Sequence, residues 1–260
     1  MSAVVPARKT ARVIAIVNQK GGVGKSTTAV NLGASLALLG RRVLVVDIDP
    51  QGNTTTGVGV DKRAVDRDVY NVLLQHVDVA EVARPTEVEN LWIVPATLNL
   101  AGAEVELVST LQRENRLKTA LVKVEADYDE ILIDCPPSLG LLTINALTAA
   151  NEVIIPVQAE YYALEGLSQL IAIVRRIKEG LNPDLTIRGV LITMFDGRTK
   201  LATEVLEEVH RYFPDRVFQT QIPRNIRLSE APSYGKPAIL FDVKSRGAQA
   251  YLSLARELAP

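Results

Sequence analysis

A glycine-rich segment between a predicted strand and a predicted helix constrains this 260-residue chain more than any other feature. Residues 12–18 (RVIAIVN) form a short apolar run typical of a buried strand. Residues 21–26 (GGVGKS) follow, and then the helical pattern TTAVNLGASLALLG. Glycines let backbone N–H groups point inward around phosphate oxygens, in conformations that a Cβ would obstruct. The N-terminus of the next helix also favours an anion, so the sequence predicts a phosphate-binding loop.

Lys25 and Ser26 end this loop in the order used by nucleotide-binding loops. The segment fits the pattern G-x-x-x-x-G-K-[ST] when its first position is relaxed. We expect Lys25 to reach the β- and γ-phosphates of a nucleotide and the Ser26 hydroxyl to coordinate Mg²⁺. The predicted phosphate contacts from the loop are Gly21, Gly22, Val23, Gly24, Lys25, Ser26 and Thr27.

Apolar runs and helical patterns alternate along the rest of the chain. Further strands are predicted at residues 42–48, 91–94, 130–134, 152–157, 187–194 and 217–222, with helices at 164–179 and 201–212 among others. Such a chain predicts an α/β fold with a mostly parallel, twisted sheet covered by helices on both faces. We expect residues 12–260 to form one domain, with irregular helix at 61–89 and a flexible tail at 1–11.

Carboxylates stand at the ends of two predicted strands, where open α/β sheets bind their ligands. Asp47 and Asp49 end the strand at 42–48, and period-two alternation places both on the same face. Asp134 ends the strand at 130–134, where it can hold Mg²⁺ through water. Residues 135–140 (CPPSLG) then predict a stiff turn able to sense a γ-phosphate.

Composition limits the partners that the chain can have. The 29 basic and 30 acidic residues give a net charge of -1, so any nucleic-acid binding must come from a local patch. Cys135 is the only cysteine, which excludes an intramolecular disulfide and a cysteine-rich metal site. Neither a secretory signal nor an apolar run of roughly 18 residues is found, and we expect a cytoplasmic protein.

Lys20 completes the segment K-G-G-V-G-K-S, which resembles the deviant Walker A family of P-loop ATPases. That family includes the ParA and Soj partition ATPases, MinD, the arsenite-pump ATPase and the nitrogenase iron protein. The segments NQKGGVGKSTTAVNLGASLALLGRRVLVVDIDPQGN, DCPPSLGLLTINAL and TQIPRNIRLSEAPSYGKP look like the small, Soj-like type of ParA. The nitrogenase iron protein needs two cysteines from each subunit for its cluster, and one cysteine cannot supply them.

The resemblance implies a weak, partner-stimulated ATPase that uses ATP and Mg²⁺ and forms a homodimer with its nucleotides between the subunits. It implies that Lys20 reaches the phosphates of the other subunit and that Asp49 positions the attacking water, with a further contact to the metal through water. For Asp47 two roles stay open, which are support of the switch segment and a place in the metal's water shell, and an ordinary strand-end cap is the alternative to both. Pro223 and Asn225 are the implied contacts to adenine.

The resemblance also implies non-specific DNA binding and release by a ParB-type partner, hence a nucleoid-associated protein. Residues 223–247 carry five basic and two acidic residues, a local excess in a nearly neutral chain. The candidate DNA contacts are Arg198, Arg227, Lys200, Lys236, Lys244 and Arg246, and for each of them an ordinary solvated charge is the alternative.

The alternative function is that of a membrane-associated positioning ATPase resembling MinD. Such proteins bind membrane through a basic amphipathic C-terminal helix. Here the final segment, SRGAQAYLSLARELAP, is moderately amphipathic but poor in lysine and aromatic anchors. We therefore expect this helix to pack on the sheet.

Overall fold

The computed structural model describes residues 10–160 and 163–259, with the side chains of 163–165 outside that description. Its strands are β1 (Arg12–Ile16), β2 (Val43–Asp47), β3 (Arg84–Pro85), β4 (Leu91–Val94), β5 (Glu130–Asp134), β6 (Glu152–Gln158) and β7 (Thr186–Thr193). They form one sheet in the order β3-β4-β2-β5-β1-β6-β7. All neighbours are parallel except β3 and β4, so the predicted fold class is confirmed.

Helices occupy most of the connections between the strands. They are α1 (Lys25–Leu38), α2 (Asn53–Gly57), α3 (Val69–Gln75), α4 (Val79–Val82), α5 (Leu100–Leu107), α6 (Arg116–Leu121), α7 (Leu141–Ala149), α8 (Ala163–Gly180), α9 (Lys200–Tyr212), α10 (Ile226–Glu230), α11 (Ala238–Phe241) and α12 (Arg246–Leu258). Residues 1–9 of the predicted tail lie outside the described residues. Ala11 is buried, and its N–H donates to the carbonyl oxygen of Glu125.

Alternating side chains of the strands fill two cores, one on each face of the sheet. Val13 and Ala15 of β1 pack with apolar residues of α3, α5, α6, α7, α8 and α9. Ile14 and Ile16 belong to the other core, with residues of α1, α11 and α12. The apolar side chains of β1 point to both faces of the sheet, so helices must cover it on both sides. Such a strand is typical of the centre of a parallel sheet.

The predicted strand at residues 217–222 is wrong. The structure has only isolated bridges there, from Val217 to Val190 of β7 and from Pro223 to Phe195. Between them the N–H groups of Gln219 and Thr220 donate to the carboxylate of Glu257 in α12, at 2.7 and 2.9 Å. These donors are thereby withdrawn from a ladder with β7, because a carboxylate competes strongly for backbone N–H groups.

Two smaller differences between the predicted and the observed elements concern residues 61–89 and the end of β2. Residues 61–89, predicted as irregular helix, contain α3, α4 and also the short antiparallel strand β3. With two residues, one of them proline, β3 is too short to produce a periodic signal. The strand β2 ends at Asp47, so Asp49 lies in the following loop rather than on the strand.

Glu130 anchors the amino end of β5 with a buried charge. Its carboxylate is 1% exposed and accepts from Arg12 Nε and Nη2 at 2.9 and 3.0 Å and from Arg41 Nη2 at 3.0 Å. Arg12 is also the register partner of Glu130 across the β1–β5 ladder. The guanidinium groups of Arg12 and Arg41 thus share one buried carboxylate as their hydrogen-bond acceptor.

Glu130→Gln should lower the free energy of unfolding by about 3 kcal/mol, because it removes the carboxylate charge closest to both guanidinium groups, although Arg12 Nε also lies 4.0 Å from Glu152 Oε2. Urea unfolding followed by circular dichroism measures the change. Glu81→Gln is the matched control, since Glu81 pairs with Arg67 on the surface, where both side chains are more than half exposed, and it should have little effect. Equal losses from the two substitutions would contradict this role of Glu130.

Candidate nucleotide-binding site

Three neighbouring strands bring the predicted site residues to one edge of the sheet. Asp134, the last residue of β5, is in register with Ile16 of β1 on one side and with Asp47 of β2 on the other. The phosphate loop continues from β1, so the loop and both aspartates meet at the carboxyl edge. A cavity of about 850 Å³ opens there, which we call the nucleotide cavity. Its walls include loop residues, Asp49, Pro137 and residues 222–226.

The phosphate loop has the backbone conformation that the glycines predict. Gly22 and Gly24 have φ values of +76° and +90°, in the left-handed region that favours glycine. Gly24 is the N-cap of α1 and has no side chain that could accept from the first N–H groups of the helix. These groups therefore remain available for an anion. Thr193 at the end of β7 braces the loop, because its hydroxyl donates to the Val23 carbonyl at 2.8 Å. Sequence reasoning missed Thr193, which has no motif of its own.

Lys25 lies inside the curl of this loop. It is only 6% exposed, and its ammonium group donates to the carbonyl oxygen of Lys20 at 3.2 Å. Burial lowers the pKa of Lys25, while the charges of Asp134 and Asp49 act in the opposite direction. A desolvated ammonium group on a cavity wall is well suited to a polyanion, which would supply the charge that the loop lacks.

Asp134 has one carboxylate oxygen in use and one without a partner. Thr54 Oγ1 donates to Oδ2 at 2.7 Å, whereas the buried Oδ1 has no hydrogen bond within the described residues. Burial raises the pKa of Asp134, and the hydroxyls of Thr54 and Ser26 oppose this rise. A buried carboxylate oxygen without a donor is the feature expected where a hydrated cation completes the site. Asp134 and Ser26 therefore fit a Mg²⁺ ion.

A metal site made by the protein alone is absent from the part of the chain that the structure describes. No group of three or more His, Cys, Asp or Glu side chains converges there. Mg²⁺ in nucleotide sites is commonly held by one or two protein groups together with phosphates and water. The geometry around Asp134 agrees with that arrangement.

The two aspartates of the D-x-D segment have different surroundings. Asp49 is on the wall of the nucleotide cavity, and its Oδ1 accepts from the N–H of Gln51 at 2.9 Å. Asp47 is fully buried, and its carboxylate accepts from Asp49 in the following loop and from Thr55 in α2. Burial and the neighbouring Asp134 raise the pKa of Asp47. Only Asp49 of these two residues reaches the cavity.

Pro223 and Asn225 lie on the nucleotide cavity wall, with apolar residues nearby. Asn225 is the N-cap of α10, where its Oδ1 accepts from the N–H of Arg227 at 3.0 Å. This bond fixes the plane of the Asn225 side-chain amide and therefore the direction of its NH₂ group. Ile222 and Leu228 supply apolar surface on the same wall, which suits a flat aromatic base.

Lys20 stands outside the nucleotide cavity, in contrast to Lys25. Its side chain is 42% exposed, and its ammonium group pairs with Glu160 Oε2 at 3.1 Å. Its backbone N–H is held by Asn18 Oδ1 at 2.9 Å. The structure thus separates the two lysines of the motif, since Lys25 lies on the cavity wall and Lys20 is exposed outside it.

The predicted DNA contacts are scattered over the surface between β7 and α12, and four of them have acidic partners. Arg198 pairs with Asp196, Lys200 with Glu204, Arg227 with Glu230 and Asp242, and Lys236 with Glu87. Lys244 and Arg246 are exposed, and no ion pair is found for them among the described residues. Arg224, which was not among the predicted contacts, joins Arg198 and Arg246 around a second cavity of about 790 Å³.

The C-terminal helix α12 packs mainly against α1, rather than directly on the sheet as the sequence had indicated. Tyr251, Leu254 and Leu258 are fully or almost fully buried and belong to the core that contains α1. The Tyr251 hydroxyl lies 3.0 Å from Thr28 Oγ1 of α1. The apolar face of α12 is therefore occupied. In residues 10–160 and 163–259 no helix has the length and apolar character needed to cross a membrane.

Comparison with known proteins identifies the family. A family described as an AAA domain matches residues 11–187. The sporulation initiation inhibitor protein Soj of Bacillus subtilis is 62% identical over 95% of this chain and 98% of its own length. The chromosome partitioning protein ParA of Myxococcus xanthus is 57% identical, over 95% and 87% of the two chains.

Among solved structures, one described as cobyrinic acid a,c-diamide synthase of Mycobacterium smegmatis is similar throughout. Its complex with an ATP analogue and magnesium is 41% identical, with a TM-score of 0.84, over 95% of this chain and 93% of that one. The same protein was also solved with ADP and magnesium. On the identity and coverage of its relatives, this chain belongs to the Soj/ParA family of chromosome-partitioning ATPases.

Proposed function

We propose that this chain is the ATPase of a DNA-partitioning system. ATP binding closes a homodimer, the dimer binds nucleoid DNA without sequence preference, and a ParB-type partner stimulates weak hydrolysis and release. The observation that carries the proposal is that the phosphate loop and Asp49 line one cavity, at the sheet edge where Asp134 Oδ1 has no partner among the described residues. The names of the relatives support the partitioning role.

The nucleotide would be held mainly by this chain's backbone and by two side chains. The N–H groups of the loop and of the first turn of α1 receive the phosphates, and Lys25 neutralises them from inside the loop. Ser26 and Asp134 would hold Mg²⁺, which supplies charge neutralisation at the phosphates. Asp49 accepts a proton or a hydrogen bond from the attacking water, because it is the carboxylate on the cavity wall.

Lys20 is proposed to act on the nucleotide of the second subunit. Its exposure and its position outside its own cavity support this role. A cation that arrives from the partner neutralises charge on the phosphoryl group, so hydrolysis depends on dimerisation. A lysine that acts on the nucleotide of the other subunit has to be exposed in the single subunit, as Lys20 is. A lysine that acts within its own phosphate loop can be buried, as Lys25 is.

Lys25→Ala should abolish nucleotide binding, because the loop loses its buried cation. Lys20→Ala should retain binding of a fluorescent ADP analogue by the single subunit but lose ATP-dependent dimerisation. Equilibrium fluorescence titration and sedimentation velocity separate the two effects. Loss of ADP binding in the Lys20 variant would instead place this lysine in its own subunit's site.

Asp49→Ala should give a dimer that binds ATP and fails to hydrolyse it. The phosphate contacts remain intact in this variant, whereas the carboxylate that orients water is lost. Sedimentation velocity with ATP and Mg²⁺ should show a persistent dimer, and phosphate release should fall to background. A variant that stays monomeric under these conditions contradicts the proposed mechanism.

DNA binding is proposed for the dimer surface that carries the unpaired basic residues. Lys244 and Arg246 are available without breaking an ion pair, whereas Arg227 and Arg198 must exchange their acidic partners for phosphate. Arg224 is added to the candidates, because it lies between the nucleotide cavity and the second cavity. Its position would connect nucleotide occupancy to the DNA surface.

The double variant Lys244→Ala/Arg246→Ala should weaken ATP-dependent DNA binding, and each lost phosphate contact should reduce the salt slope of log K by roughly 0.9. Gel shift at several salt concentrations measures this slope. Lys123→Ala is the control, since Lys123 pairs with Asp78 near α6 and should leave the slope unchanged. Liposome flotation with and without ATP tests the MinD-like alternative, which would require membrane binding in place of DNA binding.

A further inference from the structure

We infer that Asp47 and Thr55 form a clamp that positions the loop carrying Asp49, and that Asp47 takes no part in the metal's water shell. The inference rests on the proposed role of Asp49 in hydrolysis. It assigns Asp47 and Thr55 as positioning residues for that reaction.

Among the described residues, every hydrogen bond of the Asp47 carboxylate goes to the segment that follows β2. Oδ1 accepts from the N–H of Asp49 at 3.1 Å, and Oδ2 accepts from the N–H and the hydroxyl of Thr55 at 2.8 and 2.7 Å. Asp47 and its register neighbour Asp134 are both fully buried, and neither is among the residues that line the nucleotide cavity. They differ in their oxygens, because both oxygens of Asp47 accept hydrogen bonds, whereas Asp134 Oδ1 has no donor among the described residues. Of the two carboxylates, Asp134 is therefore the better placed to accept from a cation's water.

The clamp fixes both ends of a seven-residue segment, from Asp49 to Thr55. Inside it the loop is closed by Gly52 N–H to the Asp49 carbonyl at 2.8 Å and by Gln51 N–H to Asp49 Oδ1 at 2.9 Å. Gly52 has φ +61°, and a Cβ there would approach the Ala96 carbonyl to 2.7 Å, so the turn admits little but glycine. Asp47 thus holds the backbone at both ends of the segment, and the N–H of Gln51 holds the Asp49 carboxylate within it.

Thr55 extends the clamp to a third segment of the chain. Its Oγ1 donates to Asp47 and accepts from the N–H of Ala96, just after β4, at 2.9 Å. The preceding residue, Thr54, donates to Asp134 Oδ2. Consecutive hydroxyls at the start of α2 therefore join the ends of β2 and β5. The loop with Asp49 cannot shift without disturbing the buried hydrogen bonds of Asp47.

The first test uses an isosteric pair of substitutions. Thr55→Val removes the hydroxyl and keeps the shape, and it should lower kcat by on the order of 10-fold or more through misplacement of Asp49, with KM for ATP nearly unchanged. Thr55→Ser restores the hydroxyl and should recover the wild-type kcat. Thr148→Val is the matched control, because Thr148 is equally buried and its hydroxyl has no partner in the described part of the chain.

A valine variant with wild-type kcat would overturn the inference. So would a serine variant as impaired as the valine variant, since the methyl group and not the hydroxyl would then matter. If Thr55→Val fails to fold by circular dichroism, the serine variant and the metal titration below still decide the question.

The second test asks whether Asp47 serves the metal, and it needs no hydrolysis. Binding of a fluorescent ADP analogue is titrated with Mg²⁺ for Asp47→Asn and Asp134→Asn. Asp134→Asn should raise the Mg²⁺ concentration at half-saturation by about 10–100-fold, and Asp47→Asn by about threefold or less. Equal shifts would place Asp47 in the metal's shell and overturn the inference.

Hydrogen exchange supplies a readout that is independent of metal and of hydrolysis. The Asp49 and Thr55 amides should be protected in the wild type without nucleotide, and at least one should exchange roughly tenfold faster in Asp47→Asn, because an amide offers one acceptor oxygen in place of two. Unchanged protection would contradict the clamp. A wild type that shows this protection but hydrolyses no ATP would leave the clamp intact and refute the proposed function.

Discussion

The parallel register of β1, β5 and β2 is the constraint on which the site depends. It sets Ile16, Asp134 and Asp47 side by side at one edge, directly before the phosphate loop and the Asp49 loop. Parallel strands need crossover connections, and these place helices over both faces of the sheet. The edge at which the loops emerge is consequently the one place where backbone N–H groups, a buried lysine and carboxylates can share a cavity.

The buried charged groups at this edge differ in their hydrogen-bond partners. Lys25 uses a carbonyl of its own loop, Asp47 uses the N–H groups of the next loop, and Asp134 keeps an unsatisfied oxygen. Such groups are costly when isolated, since burial disfavours their charged forms. A phosphate chain with its cation would relieve Lys25 and Asp134 together. This complementarity explains why the same edge holds both signs of charge.

Much of this arrangement could be predicted from the sequence. The phosphate loop, the strands and the carboxylates at their ends have local signals, because glycine conformation and apolar runs act within a few residues. The segment 217–222 shows the limit of such signals. Its apolar run indicated a strand, but Glu257 from a helix 37 residues beyond Thr220 takes its N–H groups. Thr193 was missed for the same reason, since it supports the loop from a distant strand.

The sequence by itself determined the fold class and the family, and it supplied the residues that we propose to hold a nucleotide. The resemblance gave Asp49 a role at the attacking water and left two roles open for Asp47. Only the tertiary structure decided where the two carboxylates lie, since β2 ends at Asp47 and the chain turns there, so that one carboxylate is enclosed and the other reaches the cavity. Likewise, the motif has two lysines, and their different burial was decided by how the loop folds over the sheet edge. Local patterns specify which groups are present, whereas packing specifies which of them meet solvent or ligand.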